Sequence, residues 1–267
     1  MRVNDIAKII ESDFPTSLSF DRDNVGLLVG DGEAEVQTAL LTCDVDCGVV
    51  DEAIEKGANL IVSHHPLMFH PTRRMTESDP EQRTICKMIR AGISMYAAHT
   101  NLDAACGGIN DYMAYLTGIG DTSVADIVCT NERGIHGYGR IGTLAEPEPL
   151  GELIRRIIKT FDADGVRYTG DLTRPIKRVA VNTGGGADIL YRCIELGCDV
   201  LITGDIKYNA YRDAEQSGMA VIDLMHFDSE HIVKDFFADY FSKNIPDVQT
   251  VKSIANQNVV KTFSAAE

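Results

Sequence analysis

Residues 54–63 of this chain are Ile54-Glu55-Lys56-Gly57-Ala58-Asn59-Leu60-Ile61-Val62-Ser63, which combine the end of a helix, a glycine and a short apolar strand. Residues 194–203 repeat this order without a gap, and the isoleucine, the glutamate and the glycine recur at the same places. Glycine commonly follows the last residue of a helix, and such an apolar run is typical of a buried parallel strand. The repeat predicts two similar lobes. Any two helix–strand units share part of this pattern, so duplication and chance similarity both stay open.

Short apolar strands alternate with helices along the chain, which predicts an α/β fold with mainly parallel sheets covered by helices. The predicted strands are 38–43, 60–63, 93–98, 179–182, 199–202 and 219–223, and the predicted helices are 3–10, 49–56, 81–91, 107–116, 150–161, 189–196 and a long one after residue 226. The pattern loosens over residues 121–148, where glycines lie among apolar residues. We therefore expect two lobes, residues 1–128 and 129–267, with a metal site in the cleft between them.

The composition, 44% hydrophobic and 24% charged, is typical of a soluble globular protein. The net charge of −15 argues against loose binding to nucleic-acid backbones. We expect no membrane association, because no apolar stretch reaches the roughly 20 residues that span a bilayer and the first residues lack the apolar core of a signal peptide. The seven cysteines include no Cys-x-x-Cys pair, which favours reduced thiols in a cytoplasm over a disulfide framework or zinc ribbon.

Two adjacent histidines, His64 and His65, directly follow the first strand of the repeat and precede Pro66. Neighbouring side chains within a strand point to opposite faces. Beyond the strand end, where proline restricts the backbone, both imidazoles can turn into one cleft. The alternative interpretation of this pair is a surface turn.

Two related clusters favour a binding site over a surface turn. His99 and Asp103 follow a strand of the first lobe, and His226 and Glu230 follow a strand of the second. Ligands of open α/β sheets bind beyond the carboxyl ends of the strands, where all of these residues lie. Residues four apart on a helix share one face, so His226 and Glu230 can hold the same ion.

The candidate metal ligands are His64, His65, Asp103, His226 and Glu230. A catalytic site for one ion needs only three protein ligands and water. This larger set suits two ions, about 3.5–4 Å apart, that share a bridging carboxylate. Mixed nitrogen and oxygen donors favour two divalent ions of zinc, manganese, iron, cobalt or nickel over calcium or magnesium, and the ligand types do not select among the five.

Other polar features have simpler interpretations. Residues 184–186 form a run of three glycines, which we interpret as a tight turn, because no lysine follows as in a phosphate-binding P-loop. Asp205 aligns with His65 in the repeat, and we expect it to cap a helix rather than to support a metal-bound histidine. The histidines predicted to be ordinary polar residues are His70, His136 and His231.

Five segments together resemble the NIF three-like family, also named GTP cyclohydrolase I type 2 homologues. They are Asp-Asn-Val-Gly-Leu-Leu-Val-Gly at 23–30, Ser-His-His-Pro-Leu at 63–67, His-Thr-Asn-Leu-Asp at 99–103, Thr-Gly-Asp-Ile-Lys-Tyr at 203–208 and His-Phe-Asp-Ser-Glu at 226–230. The resemblance covers essentially the whole chain, in the short form that lacks a domain inserted between the halves. The chain departs from the family at Asp21-Arg22, where members often carry a tryptophan, and at Met225, where a glycine usually precedes the histidine. Neither departure removes a ligand.

The resemblance implies a two-lobed α/β protein that forms a ring-shaped homohexamer with an inward-facing dinuclear metal site. It implies that His65 and Asp103 bind one ion, that His64 and His226 bind the other, and that Glu230 bridges both. The same five residues follow from the ligand chemistry above.

The expected function is that of a metal-dependent hydrolase acting on a small molecule, because water that bridges two ions becomes hydroxide near neutral pH. Glu230 and His99 are the candidate catalytic residues; we expect His99 to hydrogen-bond a substrate or the metal-bound water without binding metal. The family name points to GTP, with hydroxide addition at purine C8 and release of formate. Phosphoesters and cyclic amides suit the same metals. The alternative is a non-catalytic metal-binding scaffold or chaperone that acts through protein contacts.

Overall fold

The computed structural model describes residues 1–261, which divide into two compact units. Unit 1 comprises Met1–Leu102 and Val233–Gln257, and unit 2 comprises Asp103–Ile232 together with the residues from Asn258. These bounds differ from the lobes 1–128 and 129–267 expected from the sequence. Residue 128 lies inside a long strand of unit 2, and the chain returns to unit 1 at residue 233.

Unit 1 is built around a mainly parallel sheet, as predicted. Its helices are α1 (Val3–Asp13), α2 (Cys47–Lys56), α3 (Pro80–Ala91), α4 (Thr100–Ala104), which runs into unit 2, and α10 (Val233–Asn244). Its strands are β1 (Gly26–Val29), β2 (Thr38–Thr42), β3 (Leu60–Ser63), β4 (Ser94–Ala97) and β11 (Gln249–Lys252). The sheet order is β1-β4-β3-β2-β11, in which β1 is antiparallel to β4 and the other neighbours are parallel.

Local sequence explains where the helices of unit 1 begin and end. The Asp46 carboxylate accepts a hydrogen bond from the Val49 backbone N–H at 2.9 Å and so caps the start of α2. Gly57 ends the helix with a positive φ of 66°, a conformation that glycine adopts without steric cost. The strands on either side of α2, β2 and β3, are mostly apolar, and Leu40 and Ile61 are fully buried in the core.

Unit 2 has a mixed sheet, which corrects the prediction of a mainly parallel one. Its remaining helices are α5 (Ile109–Thr117), α6 (Leu150–Thr160), α7 (Leu190–Glu195), α8 (Tyr208–Gln216) and α9 (His226–Glu230). Its strands are β5 (Ile119–Asn131), β6 (Gly134–Pro149), β7 (Arg167–Thr169), β8 (Pro175–Gly185), β9 (Val200–Gly204) and β10 (Ala220–Asp223). The order is β5-β6-β8-β9-β10-β7, with β8, β9 and β10 parallel and the other neighbours antiparallel.

The loosened stretch 121–148 is a long hairpin rather than a boundary. Strands β5 and β6 pair antiparallel along this hairpin. Most side chains of β5 are exposed, so the strand lacks the continuous apolar run by which the buried strands were predicted.

Both units nevertheless share a parallel three-strand arrangement, β2-β3-β4 in unit 1 and β8-β9-β10 in unit 2. The repeated segments 54–63 and 194–203 occupy equivalent places, at the end of a helix and along the middle strand. The single helix expected after His226 is instead two helices, the short α9 and then α10, which belong to different units.

A buried carboxylate holds the end of unit 1 in place. Glu52 on α2 accepts hydrogen bonds from the backbone N–H groups of Ile254 at 2.9 Å and Ala255 at 3.1 Å, and from the Ser253 hydroxyl at 2.5 Å. Burial would raise the pKa of Glu52, but these hydrogen bonds outweigh it and hold the pKa below its ordinary value. The segment after β11 is therefore fastened by an ionised side chain.

Within residues 1–261, the helices are all too short or too polar to cross a lipid bilayer.

Replacing Glu52 by glutamine should lower the free energy of unfolding at pH 7 by about 1–3 kcal/mol, because one oxygen acceptor and the charge are lost. The depressed folded-state pKa stabilises the protein above the unfolded-state pKa of about 4.3, and this contribution is lost as the pH falls through the folded-state value. Urea denaturation at several pH values should show the difference shrinking in acid. Glu55→Gln, an exposed change on the same helix, should alter stability by less than about 0.5 kcal/mol. A difference that stays constant with pH would contradict this account.

Candidate metal centre

The carboxyl ends of β3 and β4 bring three histidines of unit 1 together. Parallel pairing places Ser63 beside Ala97, so the residues that follow these strand ends are neighbours. The ring centroids of His64 and His65 are 5.2 Å apart, and those of His99 lie 5.2 Å from His64 and 5.3 Å from His65. One nitrogen from each ring lies within 4.8 Å of the others, which is a grouping that could hold a metal ion.

The imidazoles of His64 and His65 are each oriented by an oxygen. His64 Nδ1 is 2.8 Å from the Ala98 carbonyl oxygen, and His65 Nδ1 is 2.7 Å from Asp44 Oδ1. Carbonyl and carboxylate oxygens only accept hydrogen bonds, so the hydrogen-bond pattern assigns the proton to Nδ1 in both rings. A neutral ring with Nδ1–H presents the lone pair of Nε2, which is the form that binds a metal ion.

His99 is held in the same way by a buried carboxylate. Its Nδ1 lies 2.9 Å from both oxygens of Asp23, whose side chain is 2% exposed. Burial would raise the pKa of Asp23, but hydrogen bonds from His99 and Thr100 and the charge of His99 hold that pKa well below its ordinary value. Asp23 is therefore an ionised acceptor that fixes the tautomer and the orientation of His99.

The carboxylate that orients His65 is itself supported from the far end of the chain. Asn256 Nδ2 donates to Asp44 Oδ2 at 3.2 Å, and Asn256 Oδ1 accepts from the backbone N–H groups of Cys43 at 3.0 Å and Asp44 at 3.3 Å. The Cys43 Sγ also lies 3.9 Å from His65 Nδ1. The segment that Glu52 holds thus continues to Asn256, which supports the carboxylate that orients the candidate ligand His65.

Unit 2 contributes a histidine and a glutamate on one face of α9, as their spacing predicts. His226 Nε2 lies 3.0 Å from Glu230 Oε2, and His226 Nδ1 lies 2.8 Å from Asp205 Oδ2. The expectation that Asp205 caps a helix is wrong, because α8 begins at Tyr208 and its N-cap residue is Lys207. Asp205 instead holds His226 in the arrangement seen for the histidines of unit 1.

The glycine run 184–186 makes room for the Glu230 carboxylate. A Cβ atom on Gly184 would overlap Glu230 Oε1, lie 3.0 Å from Glu230 Cδ and lie 3.4 Å from His226 Cε1. The backbone N–H of Gly184 also donates to Ser229 Oγ at 2.9 Å, and its φ is +58°. Gly184 therefore does more than turn the chain, since its lack of a side chain allows the Glu230 carboxylate to lie close to the backbone.

Asp103 lies beside Thr183, the residue that precedes Gly184 in strand β8. Its Oδ1 accepts a hydrogen bond from the Thr183 hydroxyl at 3.3 Å, while its backbone carbonyl accepts from Asn110 Nδ2 at 3.0 Å. Asn110 Oδ1 in turn accepts from the Thr183 backbone N–H at 2.9 Å. Within unit 2, Asp103 thus contacts Thr183 and Glu230 packs against Gly184.

The predicted site residues are therefore divided between the units. Unit 1 groups His64, His65 and His99, and unit 2 pairs His226 with Glu230 and holds Asp103 beside the strand that packs against Glu230. The donor set consists of imidazole nitrogens and carboxylate oxygens, which suits divalent transition ions.

Sequence reasoning missed the partners Asp23, Asp44 and Asn256. Two of them carried a signal: Asp44 follows the end of β2 as His65 follows that of β3, and Asp23 opens the segment 23–30. Asn256 carried none.

The remaining histidines are not grouped with the candidate ligands. His136 is buried, with Nδ1 accepting from the Cys106 backbone N–H at 3.1 Å and Nε2 lying 2.9 Å from Asn131 Oδ1. Burial, and then nearby arginine charges, lower the pKa of His136, which is consistent with a neutral ring. His231 Nε2 lies 2.8 Å from the Phe161 carbonyl oxygen, and His70 is exposed. They are ordinary polar residues, as predicted.

A model of the family described as Duf34/NIF3 (NGG1p interacting factor 3) matches residues 1–259. The chain belongs to the Duf34/NIF3 family. A Clostridium acetobutylicum relative named "GTP cyclohydrolase 1 type 2 homolog" is 38% identical over 232 residues, which are 86% of this chain and 85% of the relative. A Staphylococcus aureus hypothetical protein of known structure is 26% identical, with a TM-score of 0.91 over 98% of this chain and 99% of that one. A Bacillus cereus protein related to NIF3 shares the fold, with a TM-score of 0.90 at 23% identity over 98% of this chain and 99% of that chain.

This Duf34/NIF3 chain has a strained residue immediately before His226. Met225 has a φ of 66° and a ψ of 164°, a region in which a side chain costs about 1–3 kcal/mol. Its backbone N–H donates to Asp223 Oδ1 at 2.8 Å, which holds the turn between β10 and α9. The backbone conformation at residue 225 therefore favours glycine, the residue that the family resemblance leads one to expect there.

Replacing Met225 by glycine should raise the free energy of unfolding of the metal-free protein by about 1 kcal/mol, because relief of strain exceeds the added freedom of the unfolded chain. Met225→Ala is the matched control: it removes the same side chain beyond Cβ but keeps the strain, so it should give no gain. Urea denaturation of both variants measures the difference. Equal stability of the glycine and alanine variants would refute the strain.

Replacing Gly184 by alanine should lower the free energy of unfolding by about 2–4 kcal/mol, because the new Cβ overlaps Glu230 and the positive φ disfavours any side chain. Gly185→Ala is the control in the adjacent residue, where a Cβ has open space and φ is −81°, so the change should stay within about 0.5 kcal/mol. Thermal and urea unfolding compare the two. A Gly184→Ala protein as stable as Gly185→Ala would show that Glu230 is not packed against this glycine.

Proposed function

We propose that this protein binds two divalent metal ions and uses them to hydrolyse a small-molecule substrate. The observation that supports the proposal best is the shared arrangement of His64, His65, His99 and His226. In each of them Nδ1 donates a hydrogen bond to an oxygen, which orients the ring so that Nε2 can face a metal ion or a substrate. A histidine that binds metal almost always has such a partner for its other nitrogen.

The proposed ligand assignment follows the family resemblance residue by residue. His65 and Asp103 would hold one ion, His64 and His226 would hold the other, and Glu230 would serve both. The proposal requires both units to supply ligands to the same pair of ions. When bound, such ions lower the pKa of a coordinated water and polarise a carbonyl or phosphoryl oxygen.

The residues around the proposed site have distinct tasks. Asp44 and Asp205 orient His65 and His226 through hydrogen bonds of 2.7 and 2.8 Å. His99, fixed by ionised Asp23, is placed to exchange a hydrogen bond with substrate or with the reacting water. Gly184 keeps space for the Glu230 carboxylate.

The substrate class is a small molecule with an electrophilic carbon or phosphorus. The name of the Clostridium acetobutylicum relative makes GTP the first compound to test. Phosphoesters and cyclic amides come next, because the same pair of ions would activate water against them.

We also propose a homohexamer, as the resemblance implies. Strand β5 lies at the edge of its sheet and exposes Ile127 and Val128. An exposed apolar edge strand is suited to contact between copies of a chain.

Purified protein reconstituted with zinc, manganese, iron, cobalt or nickel should contain close to two metal equivalents per chain and turn over at least one of these substrate classes. Glu230→Gln should abolish turnover and lower the metal content, because the substitution weakens the ligand that both ions would share. Glu215→Gln, an exposed change in the same unit, should leave both unchanged. Elemental analysis, product assays and light scattering of the hexamer are the measurements.

Two outcomes would contradict the proposal. Loaded, hexameric protein that turns over none of these classes would favour the non-catalytic scaffold or chaperone. One metal equivalent per chain would exclude the paired site and the bridging role of Glu230.

A further inference from the structure

We infer that Cys193 and Cys198 form an oxidisable dithiol, which a hydroperoxide converts to a reversible disulfide within unit 2. Both cysteines are free thiols in the structure and both belong to this unit. Cys198 precedes the start of β9, whereas the candidate metal centre uses residues beyond the carboxyl end of that strand. The inference is therefore independent of the proposed function.

The end of α7 holds the two cysteines next to each other. The Cys198 backbone N–H donates to the Cys193 carbonyl at 3.0 Å, and the Gly197 N–H donates to the Ile194 carbonyl at 3.0 Å. With a positive φ of 69° at Gly197, these bonds form a Schellman motif, in which the two outer side chains commonly touch. Ordinary bond lengths then keep the two cysteine Cα atoms within about 7 Å. A disulfide needs a Cα separation of about 4.4–6.8 Å.

Helices α2, α3 and α8 end in the same motif, but each has an apolar pair where α7 has cysteines. The pairs are Ala53 and Ala58, Met88 and Ile93, and Ala214 and Met219, with N–O distances of 2.8, 3.0 and 2.9 Å. In the sequence repeat, Ala53 and Ala58 align with Cys193 and Cys198 themselves. The motif therefore does not need thiols, since two alanines fill the same contact in unit 1.

A buried arginine nitrogen distinguishes the cysteine pair from an ordinary apolar contact. The Asp199 backbone N–H donates to the Arg178 carbonyl at 2.8 Å, which places Arg178 beside the residue that precedes Asp199. Arg178 Nε is buried, and no oxygen of the described residues accepts from it. The Cys198 sulfur lies beside this guanidinium. A cation at this place favours the thiolate form of Cys198.

The two thiols differ in reactivity. A hydrogen bond with the Cys193 thiol, and then the Arg178 guanidinium, hold the pKa of Cys198 below its ordinary value, although burial opposes them. The same contact, together with burial, raises the pKa of Cys193. Cys193 is fully buried, whereas Cys198 is 6% exposed. Cys198 is therefore the thiolate that attacks, and Cys193 is the thiol that closes the disulfide.

The oxidation consists of two displacements. The Cys198 thiolate attacks one oxygen of hydrogen peroxide, the O–O bond breaks and hydroxide leaves, which gives a sulfenic acid. The Cys193 sulfur then attacks the Cys198 sulfur, the S–O bond breaks, and the departing hydroxide takes the Cys193 proton to form water. The two sulfurs lose two electrons, which the peroxide oxygens gain. A dithiol reductant reverses the change by thiol–disulfide exchange.

The test treats the full native chain with hydrogen peroxide, in the presence of a chelator that prevents metal-catalysed oxidation. Trypsin should release residues 193–207 as one peptide that contains both cysteines. We expect this peptide to lose two hydrogens and to resist alkylation, and to regain two alkylation sites after dithiothreitol. The reaction should be faster in the folded protein than in urea, because the fold supplies both the contact and the Arg178 charge.

Variants of the full chain separate the roles of the residues. Cys193→Ala, which introduces the residue found at the equivalent place in unit 1, should stop the reaction at a Cys198 sulfenic acid that dimedone traps. Arg178→Gln should slow disulfide formation several-fold, because Cys198 loses its nearest positive charge. Arg155→Gln, an exposed change in the same unit, and Cys129→Ser, an exposed cysteine change, should leave the rate unchanged.

Two results with the native chain would overturn the inference, and neither depends on how a variant folds. One is a peptide 193–207 with two free thiols at a peroxide concentration that oxidises the exposed Cys129. The other is disulfide formation that is faster in urea than in the folded protein, which would show that the fold only shields two small apolar side chains.

Discussion

The candidate centre depends on the hydrogen bond that each imidazole donates from Nδ1 to an oxygen. For His64 the acceptor is a backbone carbonyl, and for His65, His99 and His226 it is a carboxylate. The bond selects one tautomer, fixes the plane of the ring and, where the acceptor is charged, makes the remaining nitrogen more basic. A ring held in this way loses little further freedom when it binds a ligand.

The fold provides these hydrogen bonds through the register of parallel strands. Pairing places Thr42 beside Ser63, and the residues two positions beyond each strand end, Asp44 and His65, are in contact. In unit 2, pairing of β9 with β10 likewise leads to the contact of Asp205 with His226. Parallel strands end at the same edge of a sheet, so residues distant in sequence meet there without long loops.

The sequence is sufficient to predict what depends on local pattern, which includes the α/β class, the buried strands and the helices ended by glycine. The hairpin of β5 and β6 was not predicted, because an edge strand exposed on much of its surface has no distinctive apolar period. Asp205 was misassigned because an aspartate just before a helix usually caps it, whereas here the tertiary contact with His226 prevails. Asn256 contacts residues more than 200 positions away, and no local pattern can indicate such a partner.

The discontinuity of unit 1 has a consequence for synthesis of the protein. Helix α10, strand β11 and Asn256 come from the last part of the chain, yet they complete the sheet and support Asp44. A nascent polypeptide that ends before residue 233 carries His64, His65 and Asp44 but lacks Asn256, which supports the carboxylate that orients His65. The support of the imidazole cluster is therefore complete only after residues 233–256 have been synthesised and have folded against the first part of unit 1.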